Sequence, residues 1–222
     1  MHVLSNDRLL VTGATGLVGS HVVEGAVRRG WRVRALVRPN ADVEFLSGLN
    51  VELVHGDLED PDSLKSVCDG VTVVVHCAAK VGDWGPTDEY RRINVTETRA
   101  LLDAALRTGA LKRWVQISSL GVYEGKDHYG TDEATAPCTT GIDGYTLTKV
   151  ESELLVCDYI KNRALPAVVL RPGFIYGPRD RTVLPRLAER LRSGKFAFLG
   201  TPEKLMNNTY VGNLCEAIWL AI

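Results

Sequence analysis

Apolar and polar positions along the chain fall into two alternating rhythms. "RLLVT" (8–12), "RVRALV" (32–37), "VELVHG" (51–56), "VTVVVHCAA" (71–79), "RWVQISS" (113–119) and "AVVLRPG" (167–173) are short and rich in Val, Leu and Ile. Such runs, little broken by charge, read as strands buried on both faces of a parallel sheet. Between them, residues 17–29, 42–48, 60–68, 87–108 and 143–164 carry helical patterns. Asp60 followed by Pro61 is a good helix start, a capping oxygen ahead of a proline at the first helical position. Strand–helix alternation over residues 1–177 predicts an α/β fold with a doubly wound parallel sheet.

After Gly177 the rhythm changes. Residues 181–194 predict a helix despite Pro185, 195–208 read as irregular or extended, and 209–222 begin an apolar helix. That helix runs to Trp219-Leu220-Ala221-Ile222 with no glycine or polar cap. Residues 178–222 therefore read as the start of a small substrate-binding lobe, with further C-terminal residues expected in the natural protein. A last helix simply docked on the sheet is the alternative.

Composition narrows the partners. With 222 residues, 45% of them hydrophobic, the chain can bury a core without disulfides or metals. A formal charge of -1 gives no case for nucleic acid or an anionic membrane surface. No stretch of about 18 apolar residues would span a bilayer. The first strand begins too early to leave room for a signal peptide. Cys68, Cys77, Cys138, Cys157 and Cys215 show neither metal spacing nor a Cys-x-x-Cys pair, which predicts reduced thiols in a cytoplasmic protein and no metal site.

The chemistry begins at Thr12-Gly13-Ala14-Thr15-Gly16-Leu17-Val18-Gly19, between the first strand and the first helix. Glycines there permit a tight turn, close approach of backbone to a pyrophosphate, and close helix–strand packing. Free N–H groups at the helix N-terminus, around Thr15, Leu17 and Val18, would receive the phosphates. An NAD site usually carries an acid at the end of the second strand. Here the strand ends in Arg38, which suits the 2′-phosphate of NADP and makes NADP the preferred cofactor, NAD the alternative. A solvated arginine, such as Arg32 and Arg34 are taken to be, is the competing reading of Arg38. In "HGDLED", Asp57 could accept from an adenine amino group or merely cap a turn. Small Ala78 and Ala79 would let a ribose lie against backbone, whereas His76 and Cys77 read as strand packing.

Tyr145 and Lys149 stand one helical turn apart and share a face. A free tyrosine, with a pKa of about 10, is too weak a base near neutrality, and an ammonium nearby would favour its phenolate. "VQISSLGVY" supplies hydroxyls for a substrate oxygen; strand alternation separates Ser118 from Ser119 and favours Ser119.

TGATGLVG, HGDL, HCAA, ISSLGVY, YTLTK and LRPGFIYGPRD, in that order, resemble the extended short-chain dehydrogenase/reductase family of NAD(P)-dependent epimerases and dehydratases. "AAKVGDWGP" and "YRRINVTETRALLDAAL" look most like its 3β-hydroxysteroid dehydrogenase and β-keto acid reductase branch. The resemblance implies a Rossmann-type domain, with Tyr145 as general acid/base, Lys149 as its ribose-binding and pKa-lowering partner, and Ser119 orienting the substrate oxygen. It also implies that Gly13, Gly16 and Gly19 form the pyrophosphate loop and that Asp57 and Leu58 meet adenine. Ala78, Ala79 and Lys80 would border the cofactor ribose, with Asn94 and Pro172 beside the nicotinamide. Glu97 stands where the family commonly has glycine, and Thr148 where it commonly has serine; neither is expected to touch the chemistry. The implied activity interconverts a secondary alcohol and a ketone on a hydroxysteroid- or β-keto-acid-like substrate. A sugar-nucleotide epimerase or dehydratase and a non-catalytic dinucleotide sensor are the alternatives. Val81 and Trp84 would form an apolar substrate wall, or Trp84 would pack as core. A homodimer is compatible with the reading.

Overall fold

The computed structural model describes residues 7–56, 60–82, 84–197 and 205–222. Six strands, β1 (Arg8–Thr12), β2 (Arg32–Val37), β3 (Glu52–His55), β4 (Val73–His76), β5 (Arg113–Ile117) and β6 (Ala167–Leu170), form one sheet. Its order is β3-β2-β1-β4-β5-β6, and every neighbouring pair is parallel. The order reverses between β1 and β4, so their C-terminal ends open a crevice where ligands bind in such sheets.

Strand alternation sends side chains into two cores. Leu9, Val11, Val73 and Val75 pack beneath α1 (Leu17–Arg28) and α8 (Val211–Ala221). Leu10, Val74 and Trp114 pack on the opposite face, with α3 (Pro61–Val67), α5 (Glu97–Arg107) and α6 (Gly144–Arg163). Both faces are covered, which is why the strands read as apolar runs rather than alternating ones.

Four elements differ from the sequence expectation. The helix expected over 42–48 contracts to α2 (Glu44–Ser47). The helix expected over 87–108 consists of α4 (Thr87–Arg91), a π-helical turn (Arg92–Thr96) and α5. Buried Tyr90, Asn94, Thr98, Leu101 and Ala105 still recur every three or four residues across it, so residue patterning does not reveal the π-helical turn. "FIY" forms β7 (Phe174–Tyr176), paired in parallel with β8 (Asn208–Tyr210), so two residues expected in the last helix are strand. Pro185 is tolerated because it falls in the first turn of α7 (Val183–Arg192), where its missing N–H would have had no intrahelical partner. Helix α8 docks against α1, where Trp219 lies 3.2 Å from the position a Cβ on Gly25 would take.

Arg34 is not the solvated arginine its neighbours suggest. It is 6% exposed, and its Nη1 donates to the carbonyls of Ser66, Val67 and Asp69 at 2.7–3.0 Å. These lie at the C-terminal end of α3, where carbonyls lack intrahelical partners and a cation is favoured. Nη2 donates to Glu52 at 2.9 Å, and this hydrogen bond holds the Glu52 carboxyl below its usual range. Replacing Arg34 with Met should strand the carbonyls and destabilise the fold by about 2–4 kcal/mol, seen as a lower melting temperature. A carboxyl depressed in the folded state stabilises above its unfolded pKa and loses that contribution as pH falls. The gap between parent and Arg34→Met should therefore narrow on acidification below the ordinary Glu value of 4.5.

Candidate active site

The loop after β1 is shaped by contacts that exclude side chains. Gly13 has φ +63°, and a Cβ there would lie 2.8 Å from the Ala78 nitrogen. A Cβ on Gly19 would lie 2.2 Å from the Gly13 carbonyl oxygen, so α1 can approach the loop only with glycine at that position. Gly16 differs: its Cβ would meet only the Gly13 oxygen, at 3.2 Å. Its open side faces a cavity of about 470 Å³.

Thr12, Gly13, Thr15 and Gly16 line this cavity together with Leu36, Val37 and Arg38 from the end of β2, and Gly56 after β3. Cys77, Ala78, Ala79, Lys80 and Val81 continue the lining after β4, and Ile93 and Glu97 close it from the π-helical turn and α5. Gly16 is the N-cap of α1 and brings no side chain to it, and the first turn of the helix carries no acid. The helix end is thus open to an anionic group. Leu17 and Val18 belong to that first turn and pack partly on the core, while Gly19 is buried beneath it. Asp57 and Leu58 lie outside the described residues.

Asn94, at the π-helical turn, ties this wall to the helix carrying Tyr145. Its Oδ1 accepts from the Lys80 N–H at 2.7 Å, and its Nδ2 donates to the Lys80 carbonyl at 3.1 Å and to Thr148 Oγ1 at 3.0 Å. The Thr148 hydroxyl in turn donates to backbone carbonyls of its own helix, Gly144 at 2.7 Å or Tyr145 at 3.1 Å. Lys80 extends to Glu89 at 2.9 Å.

Two adjacent serines at the end of β5 part company. Ser118 donates to Glu153 at 2.6 Å, in a buried cluster where Glu153 also pairs with Arg171 and Arg171 donates to the Tyr123 hydroxyl. Ser119 instead caps the short turn Leu120–Val122 by accepting from the Gly121 N–H at 3.0 Å, and its hydroxyl acts to lower the pKa of the Tyr145 phenol. Capping box contacts between Asp143 and Thr146 start α6, fixing where Tyr145 begins its first turn. Lys149 is buried and donates from Nζ to the Ile117 carbonyl at 2.6 Å. Buried Pro172 is held beside this group by its carbonyl, which accepts from the Leu120 N–H at 2.9 Å.

The electrostatics are those of an enclosed site. Burial raises the Tyr145 phenol above its ordinary range, opposed by the Ser119 hydrogen bond and reinforced by Asp143. This differs from the lowering expected from a lysine one turn away. Lys149 directs its ammonium to the Ile117 carbonyl, and its own pKa is pushed down to about 8 by burial, against the pull of Cys77 and Glu153. Burial also drives the Cys77 thiol upward, so it carries no thiolate chemistry at neutral pH.

Sequence reasoning missed two residues here. Glu97, dismissed as a family variation, is 5% exposed and lines the cavity. Thr148 is the Asn94 partner. Trp84 is not core: it is 94% exposed. Tyr90 Oη can donate to the Gly82 or the Trp84 carbonyl, each at 3.0 Å, which steadies the loop beside Val81. Among the described residues, no three His, Cys, Asp or Glu side chains are grouped to hold a metal, and no helix is long and apolar enough to cross a membrane.

Residues 9–222 match the NAD dependent epimerase/dehydratase family. The chain is 34% identical over 219 residues to 2-alkyl-3-oxoalkanoate reductase of Stenotrophomonas maltophilia, a match covering 96% of this chain and 64% of that protein. It is 33% identical over 223 residues to 3 beta-hydroxysteroid dehydrogenase/Delta 5-->4-isomerase of Mycobacterium tuberculosis, covering 96% of this chain and 60% of the relative. The solved structure of Thermus thermophilus UDP-glucose 4-epimerase in complex with NAD superposes with a TM-score of 0.82 at 28% identity, over 96% of this chain and 74% of that one. The chain thus spans less than two thirds of the length of these curated relatives. Sheet order, glycine loop and these matches agree: the chain belongs to the NAD-dependent epimerase/dehydratase family, within the 3β-hydroxysteroid dehydrogenase-like branch of the extended short-chain dehydrogenases/reductases.

Proposed function

We propose that the chain binds a nicotinamide dinucleotide in this cavity and interconverts a secondary alcohol and a ketone. The observation that carries this reading is the tie from the Lys80 backbone on the cavity wall through Asn94 to Thr148, which seats the start of α6, with Tyr145 and Lys149, behind that wall. The cavity fits the cofactor: backbone at Gly13 and Gly16 lies bare, and the N-terminus of α1 offers N–H groups around Thr15, Leu17 and Val18. Arg38, exposed on the cavity rim, would take the 2′-phosphate and favours NADP over NAD. Asp57 and Leu58 would meet adenine, Ala78, Ala79 and Lys80 the ribose, and Asn94 and Pro172 the nicotinamide side. A bound nicotinamide supplies or accepts the hydride.

The protein's own part is proton transfer and orientation. In ketone reduction, Tyr145 donates its phenolic proton to the substrate oxygen as that oxygen gains negative charge, while Ser119 holds it by a hydrogen bond. Burial keeps Tyr145 protonated in the free protein, which is the form reduction requires. In oxidation the phenol must first ionise, which the Lys149 ammonium would favour only after turning from the Ile117 carbonyl toward the site. Exposed Val81 and Trp84, at 65% and 94%, offer an apolar wall to a lipid-like or alicyclic ketone. Names of the relatives, a 3-oxoalkanoate reductase and a hydroxysteroid dehydrogenase, lean the same way.

A substrate is found by following reduced nicotinamide absorbance across hydroxysteroids and β-keto acids, and by product chromatography across sugar nucleotides, whose epimerisation or dehydration leaves no net change in the cofactor. Turnover of sugar nucleotides alone would overturn the reading. With that substrate, Tyr145→Phe should lower kcat by about 10²–10⁴ and leave dinucleotide affinity little changed. Retained turnover would remove Tyr145 from the acid/base role. Arg38→Ala should weaken NADPH about tenfold or more while sparing NADH, by calorimetric titration. Equal weakening of both contradicts the NADP preference. Gly16→Val should keep the fold, because only the Gly13 oxygen lies near, yet abolish dinucleotide binding. Near-normal affinity in the folded variant would displace the phosphates from this loop.

A further inference from the structure

Between the glycine loop and the π-helical turn runs a buried line of polar groups that the proposed chemistry does not use. Thr12 and His76 are register partners on β1 and β4, and both are essentially inaccessible. Thr12 Oγ1 lies 2.8 Å from His76 Nδ1, and His76 Nε2 lies 3.1 Å from Thr98 Oγ1. Thr12 Oγ1 also accepts from the Ala78 N–H at 3.2 Å, and Thr98 Oγ1 donates to the Asn94 carbonyl at 2.9 Å.

Counting protons fixes the direction of every bond. The Thr98 hydroxyl has one proton and spends it on the Asn94 carbonyl, so it must accept from His76, whose Nε2 therefore carries hydrogen. Burial pushes the imidazole pKa down to about 3, with Lys149 acting in the same sense, so the ring is neutral and Nδ1 is an acceptor. Thr12 then donates to Nδ1 while accepting from Ala78. One tautomer satisfies the whole line.

We infer that His76, as a neutral Nε2–H imidazole, is a positioning residue for the dinucleotide: it locks the Thr12 hydroxyl onto Ala78 on one side and the π-helical turn on the other. This inference rests on the dinucleotide reading above. Thr12 and Ala78 both line the cavity, and the contact that excludes a Cβ from Gly13 lies between the same two strand ends. Asn94 carries the opposite constraint to Lys80 on the cavity wall. His76 and Thr98 are absent from the lining, so any influence they exert on a bound dinucleotide passes through these partners.

The test is calorimetric titration of the parent and of His76→Phe, His76→Asn and Thr98→Val with NADH and with NADPH, alongside thermal melting. His76→Phe keeps an aromatic ring but strips Thr12 of its acceptor, and should weaken both dinucleotides by about tenfold. The amide oxygen of His76→Asn falls where Nδ1 stood and should restore affinity to within about threefold of the parent, even if its melting temperature falls as far. A purely structural role would lower both melting temperatures without separating the two affinities, and that result overturns the inference. So does a folded His76→Phe that binds within about twofold of the parent. If His76→Phe fails to fold, Thr98→Val decides: about threefold or greater weakening supports the inference, and parental affinity overturns it. A parent that binds neither dinucleotide overturns the cofactor reading itself, and this inference with it.

Discussion

The site depends on one close approach of backbone to backbone, where the end of β1 meets the end of β4. Gly13, in left-handed conformation, lies against Cys77 and Ala78, and Gly19 lets α1 close onto Gly13 from the other side. Each contact leaves no room for a β-carbon. Their joint effect is to bring an uncapped helix end to the point where the sheet reverses its strand order. Alanine at Gly13 would push the loop off the end of β4, and alanine at Gly19 would push α1 off the loop; either way the cavity would lose its floor.

Around that floor, Asn94 and Lys149 are held largely by backbone. Asn94 spends its amide on both backbone groups of Lys80 and on Thr148, while Thr148 turns back to its own helix. The proposed reacting groups are therefore braced from behind rather than by one another: Ser119 caps the turn at Gly121, and Lys149 bonds the Ile117 carbonyl. Lys149 donates to a carbonyl of β5, a bond that the proposed ribose contact would have to replace. Enclosure gives the site its acid/base character: the phenol stays protonated and the ammonium is weakened, as low-dielectric surroundings require.

Much of this was legible in the sequence, and the gaps have physical causes. Apolar runs located all six strands of the main sheet because both its faces are covered, and the glycine spacing located the loop because close approach has few chemical solutions. Helical periodicity did not reveal the π-helical turn at Asn94, since buried Tyr90, Asn94, Thr98, Leu101 and Ala105 still recur every three or four residues across it. Nor could it show that Arg34 turns inward to the end of α3, because carbonyl acceptors leave no mark on sequence. Glu97 and Thr148 looked like neutral replacements only because their neighbours come from distant segments: the strand–loop wall for one, the π-helical turn for the other. Trp84 followed a strand whose residues are core, but the loop carries it into solvent.

The central claim is that the glycine-loop cavity and the Ser119–Tyr145–Lys149 group are two halves of one dinucleotide site. A crystal structure of the protein grown with NADPH tests it most directly. The account predicts the pyrophosphate on the Gly13–Gly16 backbone, the 2′-phosphate at Arg38, and Lys149 turned from the Ile117 carbonyl to the nicotinamide ribose. A dinucleotide seated elsewhere, or one lying in the cavity with its nicotinamide directed away from Tyr145, would contradict it.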